Sequence, residues 1–436
     1  MKKITYGILF LCIFVMTCIP VGAVGDLETE GTSLLEELLD RQFESYMVGE
    51  LIETNDIFSE SESTDFYNAY LYYYTGRIVA TEKYWDKYDY DIELAEIDGN
   101  ILIFSANLDY WDAGRKWPTQ QFDFEYEVSL TEIEDKWYIS EIHTNEFNYE
   151  DFERLYSYEY NTVSTVRANE KKSTSLNDFA DFLIADSVTF YETLDNVVVS
   201  ASDVVDMDAQ YEEYKQAKEF NISVTSSNSE VDYDAQRGRD YAETYCEDAN
   251  SCFKDYTSGG GDCTNFVSQC IWAAYGGWQD GDTSSVMRNN IRNRVRMTDE
   301  WYGVLPDTTN NTYYASSSWV GVVNLWSYID EDHTYGPQGT LRNNGSKATN
   351  LHPSSILTGQ VLQVRNGSSG RYSHSVYVVG GVNDSFENIR IAQHSSNGFR
   401  YLDDTVYGFG TTSNCYMRQI KFLSAEFEDY ETTSGI

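Results

Sequence analysis

The hydrophobic pattern changes period along the chain. In SLLEELLDRQFESYM, residues 33–47, the side chains Leu34, Leu35, Leu38, Leu39 and Phe43 return every three or four positions, which predicts an amphipathic helix. A second helix is predicted over residues 65–88, DFYNAYLYYYTGRIVATEKYWDKY. From residue 100 the period falls to two. NILIFSANLDYW, QFDFEYEVSLTEIEDK and KWYISEIHTNEF alternate apolar with polar side chains, as half-exposed antiparallel strands do. Helices followed by a meander predict a small α+β domain over residues 24–160. Residues 161–235 are polar, punctuated by NEKKSTSLND and SVTSSNSEVD, and read as a linker with helical segments such as DAQYEEYKQAKEF. Residues 236–430 form a second α+β unit. In it Phe266, Val267, Cys270, Ile271 and Ala274 make a helical stripe, RYSHSVYVVGG is a strand with Tyr372, His374, Val376 and Val378 on one face, and NIRIAQHSS is its neighbour.

The start of the chain stands outside this pattern. Lys2 and Lys3 precede an apolar run from Ile4 to Ile19, and small residues precede a cut after Ala23, so residues 1–23 read as a secretory signal peptide. No later stretch is apolar enough to cross a bilayer, and the expectation is a secreted or cell-surface protein. With 30 Lys and Arg against 71 Asp and Glu, the net charge of −41 leaves little to neutralise phosphates, which argues against nucleic acid as a partner. No calcium loop, HExxH or paired CxxC is present, so neither a metal nor a cofactor is assigned. Beyond the signal stand Cys246, Cys252, Cys263, Cys270 and Cys415, an odd number that leaves at least one thiol free. Cys263 and Cys270 lie about 10.5 Å apart along one helix, beyond the roughly 7 Å that a disulfide spans. Pairing of Cys246 with Cys252 and of Cys270 with Cys415 stays open, with buried free thiols the competing reading for the second pair.

The candidate chemistry sits in GGGDCTNFVSQC, residues 259–270. Gly259, Gly260 and Gly261 allow close approach of another chain, Asp262 is a good helix cap, and Cys263 falls in the first helical turn. Unpaired N–H groups and the positive dipole end there favour a thiolate and can hold an oxyanion. A cysteine nucleophile needs a base, and His374 lies on the strand described above. His374 and His394 are each ten residues from Asp384, so a regular hairpin centred there sets them opposite one another, His394 orienting the base. Asn265, Ser268 and Gln269 are read as supports of the nucleophile helix, and Tyr256 as a hydrogen-bond donor to the tetrahedral intermediate or a packing residue.

GGGDCTNFVSQC, SSSWVGVVNLWSYI, LTGQVLQV, YSHSVYVVGG and IRIAQHSS together resemble the putative amidase domain, a family of the papain-like cysteine hydrolases related to the NlpC/P60 and CHAP domains of Gram-positive bacteria. The resemblance implies a papain-like (NlpC/P60-type) domain, its helix bearing Cys263 packed on an antiparallel sheet bearing His374 and His394. It also implies hydrolysis of amide or peptide bonds, with peptidoglycan as the expected substrate. Gly359-Gln360 stands where the family usually has Gly-Asp, and Ser373 where Asp often precedes the base. The order of elements in residues 24–160 resembles cystatin-like or nuclear-transport-factor-like cones. Two other readings compete: a zinc hydrolase using Cys263, His374 and His394, and a non-enzymatic binding protein that keeps the papain-like scaffold.

Overall fold

The computed structural model describes residues 21–160, 175–220, 230–257, 262–306, 314–367 and 369–428. Most of the expected signal peptide, and Gly259, Gly260 and Gly261, lie outside these residues. The fold is α+β, built on a large antiparallel sheet.

Helix α1 (Val21–Val48) buries its predicted leucine stripe together with Phe43, and α2 (Glu62–Thr81) buries Tyr67, Tyr70, Tyr73 and Tyr74 beside it. Serine 61 caps α2 through a reciprocal bond with Thr64. The helix ends earlier than its sequence pattern predicts. Glu82 takes a left-handed conformation (φ 55°), the Lys83 N–H reaches back to the Ile78 carbonyl, and Trp85–Asp98 leaves as strand β1. The reason lies in the alternation of Tyr88, Tyr90, Ile92 and Leu94, which pack on the core from one face of that strand.

Strands β2 (Ile101–Asp112), β3 (Thr119–Ile133) and β4 (Lys136–Thr144) complete the predicted meander. Helix α3 (Phe147–Leu155) follows, then α4 (Leu176–Asp195) and α5 (Met207–Phe220), the helical segments of the expected linker. They are part of the body: Phe179, Leu183 and Phe190 of α4 join the core of α1 and α2.

The second half supplies β5 (Glu230–Val231), α6 (Ala235–Tyr245), α7 (Asp262–Ala274), α8 (Ser284–Arg292), α9 (Ser317–Val320), α10 (Val322–Asp330), β6 (Gln338–Arg342), β7 (Val361–Asn366), β8 (His374–Gly381), β9 (Ile389–Gln393), β10 (Asn397–Tyr401), α11 (Leu402–Gly408), β11 (Cys415–Leu423) and β12 (Ala425–Glu426). Strand β3 joins the halves. Its later part pairs with β4, while Gln120, Gln121 and Phe122 pair with Phe399, Gly398 and Asn397 of β10. One ten-stranded sheet therefore runs β1-β2-β3-β10-β9-β8-β7-β11-β6, with β4 on β3.

The sheet separates two cores. Ser375, Tyr377 and Val379 of β8 face α6 and α7, whereas Val376 and Val378 face the core shared with α1, α2 and α4. Helix α7 is buried on every side, and its polar residues are correspondingly hydrogen-bonded. Cys246, Cys252, Cys263, Cys270 and Cys415 are all free and buried: the pairing considered for Cys246 and Cys252 is absent, and for Cys270 and Cys415 the free-thiol reading holds. Among the described residues no helix is long and apolar enough to cross a membrane.

Candidate active site

Helix α7 begins at Asp262, and Cys263 is its second residue, 3 % exposed. Burial pushes the Cys263 thiol above its ordinary value and the neighbouring Asp262 carboxylate adds to this, against the Ser375 N–H and the Thr264 hydroxyl, which favour the thiolate. The expectation of a thiolate stabilised by the helix start is thus overridden by desolvation. The Cys263 N–H is also engaged: it donates to Ser395 Oγ at 3.1 Å. Ser395 holds that position with φ of +86°, a left-handed backbone that side chains other than glycine adopt at a cost.

His374 opens β8 and is 8 % exposed. Its Nε2 lies 3.1 Å from Gln393 Oε1, its ring stacks on Phe409 at 5.1 Å and 16°, and among the described residues its Nδ1 has no hydrogen-bond partner. Burial pushes its pKa down to about 4, with the Gln393 bond opposing and the Arg154 and Arg400 charges assisting. At neutral pH the ring is neutral and can accept a proton. Cys263 and His374 share no hydrogen bond among the described residues. The thiol approaches β8 from the α7 side at Ser375, and the imidazole points to the other face.

The expected pairing of His374 with His394 fails by one residue of register. Where β8 and β9 meet their loop, Gly381 pairs with Ile389, a register that keeps both histidines on one face. Val379 is then an extra residue between the Gly380–Arg390 and Val378–Ile391 pairs, and this bulge turns the two side chains to opposite faces. Gln393, adjacent in sequence, takes the place beside His374 that His394 was expected to fill.

His394 instead joins the starts and ends of helices. Its Nδ1 lies 2.8 Å from Asp262 Oδ2, its Nε2 lies 2.9 Å from the Tyr245 carbonyl at the end of α6, and its ring stacks on Phe266 at 3.9 Å. Burial would raise the Asp262 carboxyl, but the hydrogen bond and charge of His394, with bonds from Asn265 Nδ2 and the Tyr256 N–H, outweigh it and hold Asp262 below the usual carboxylate range. Asp262 is therefore less a cap for its own helix than one half of a buried clamp. Both nitrogens of His394 are occupied and His374 faces away, so Cys263, His374 and His394 do not form a zinc set; among the described residues no three histidine, cysteine or acidic side chains converge on a metal position.

The remaining predicted supports fall around this clamp. Asn265 donates to Asp262 and to the Lys254 carbonyl and accepts from Trp319 Nε1, Gln269 accepts from the Tyr241 hydroxyl, and Ser268 donates to the Trp319 carbonyl. Tyr256 is half-buried; its hydroxyl accepts the Ala315 N–H, leaving its own proton to donate. Gln360, the departure from the usual Gly-Asp, receives the Leu357 N–H and Gln419 Nε2 and so ties β11 to the turn before β7. Gln393, Ser395 and Phe409 are the contacts that pattern reading does not reach. The adjacent glycines Gly380 and Gly381 were the one local hint of an irregular ladder.

No curated protein and no solved structure matches the chain. Residues 232–417, which carry Cys263, His374, Gln393 and His394, match the model of the family described as "Putative amidase domain".

Proposed function

We propose that the protein is an exported cysteine hydrolase that cleaves amide or peptide bonds, with Cys263 as nucleophile and His374 as base in a papain-like arrangement. The observation that carries this reading is the anchoring of His374 Nε2 by Gln393, which leaves Nδ1 as the accepting nitrogen of the residue next to Ser375, whose N–H meets the Cys263 thiol. The family match supports amide hydrolysis as the class of reaction. Thiol and imidazole lie on either side of the His374–Ser375 peptide, so proton transfer requires the start of β8 to shift and bring the imidazole to the sulfur, a bond of the kind that forms only with substrate. Both groups are neutral at pH 7, so the proton passes from sulfur to Nδ1 during attack. The substrate oxygen then displaces Ser395 Oγ from the Cys263 N–H, with the Tyr256 hydroxyl as a second donor. The protonated His374 returns its proton to the leaving amine, and water, deprotonated by the same ring, releases the acyl group.

Peptidoglycan is the proposed substrate, met outside the cell. The test is incubation of the mature protein and its Cys263→Ala variant with peptidoglycan from several bacteria, with released fragments and new amino termini read by mass spectrometry. Release that needs Cys263 is the expected result. Release unchanged in Cys263→Ala overturns the mechanism, and no release beside ready alkylation of Cys263 overturns the substrate.

A further inference from the structure

Helix α3 lies outside the segment matched by the amidase family, yet it reaches the surroundings of His374 at three points. Arg154 donates to the Gly408 carbonyl at 2.9 Å and to Asp151, and its guanidinium lies 4.3 Å from the centre of the Phe409 ring. The same Phe409 ring stacks on the His374 imidazole at 5.1 Å, so one phenyl ring touches both the guanidinium and the imidazole. Asp151 also binds Arg400 of β10 at 2.7 Å, and Glu150 accepts from Ser396 Oγ at 2.7 Å in the turn that follows Gln393. Gly408 is where α3 presses closest: a side chain there would run into the Asp151 carboxylate.

We propose that Arg154 is a positioning residue for His374, and that α3 thereby makes the N-terminal half of the chain part of the site. Arg154 holds Phe409 flat against the imidazole, while Glu150 and Asp151 fix the segments carrying Gln393 and Arg400. The inference rests on the reading of His374 as base. It fits the continuity of the sheet through β3 and β10: a hinged N-terminal half could not keep Arg154 in register with Phe409.

The charged groups around the ring are Arg154, Asp151 and Glu150 of α3 and Arg400 of β10; Gln393 is neutral, and Cys263 approaches from α7. Removing the Arg154 charge therefore makes His374 easier to protonate. The experiment follows the histidine Cε1–H resonances of the full chain against pH, with five histidines to resolve and His374→Gln for assignment. In Arg154→Met the His374 midpoint is expected to rise from about 4 by roughly half a unit or more. The acid limb of Cys263 alkylation by iodoacetamide should move with it, and Arg154→Lys should restore both. Arg154→Gln, which can still donate to Gly408, reads the same shift if the methionine variant does not fold. Superimposed curves for wild type and the folded variants overturn the proposal. If the midpoint shifts but alkylation is unchanged in His374→Ala, the positioning stands and the cysteine–histidine reading falls.

Discussion

A hydrogen bond of 3.1 Å separates the two neighbours Gln393 and His394 in role: Gln393 makes it to His374, and His394 spends both its nitrogens elsewhere. Gln393→Ala should leave the fold intact but free the imidazole, lowering kcat about 10- to 100-fold with little change in melting temperature. His394→Ala removes the partner of the buried Asp262 and should cost about 3 kcal/mol, seen first in thermal or urea unfolding. Reversal of these effects would return the orienting role to His394. The His374 ring also sets a pH dependence. Its folded pKa of about 4 lies below the unfolded value near 6.5, so the unfolded chain binds more protons between the two. Stability due to this group is full above pH 6.5 and is lost as pH falls towards 4, by roughly 3 kcal/mol. Unfolding titrations of wild type and His374→Gln should therefore converge on the acid side of that window; parallel curves would show that the ring is not desolvated.

At the scale of elements, α7 depends on a close approach. Gly238 of α6 lies under the Tyr377 hydroxyl of β8 and near the Cys270 carbonyl of α7, so a methyl group there meets a tyrosine held by the Tyr233 hydroxyl at 3.0 Å. Tyr377 is fully buried and cannot swing away. Gly238→Ala should destabilise by about 1 to 3 kcal/mol and loosen α6, which carries the Tyr245 carbonyl, from His394; chemical denaturation measures the first and amide exchange at the start of α7 the second. Periodicity made these helices and strands legible because each has one face to bury. It also placed Cys263 in the first turn of a buried helix. It did not reveal that Trp85–Asp98 is a strand, since no turn residue marks the break at Glu82 and the alternation that favours the strand begins only at Tyr88. Nor could it reveal Val379: a bulge adds one residue without altering composition, and that residue decides whether Gln393 or His394 meets His374.

For the whole molecule, the linker-like composition of residues 161–235 hides a single body, because the cation–carboxylate contacts between its halves join residues hundreds of positions apart. Arg77 Nη2 reaches Asp404 Oδ1 at 2.6 Å, and Arg115 reaches Asp404 Oδ2 at 2.9 Å and Asp403 Oδ2 at 2.6 Å, with Lys83 at 3.4 Å from Asp403. All but Lys83 are nearly closed to solvent, which removes the screening that makes surface pairs weak. Burial would raise Asp404, but Arg115, Arg77, Lys83 and Arg400 hold it far below the carboxylate range, so it is ionised in the folded state at any ordinary pH. Asp404→Asn keeps the shape and removes the charge, leaving two buried guanidinium groups short of a partner, and should cost about 3 to 5 kcal/mol. Because β3 and β10 share one ladder, this loss should not release the N-terminal half alone. The change in tryptophan fluorescence and the rise in Cys263 accessibility should coincide in one urea transition, displaced to lower denaturant. Two separated transitions would mean that the halves fold independently, and would also remove the structural basis for a role of α3 beside His374.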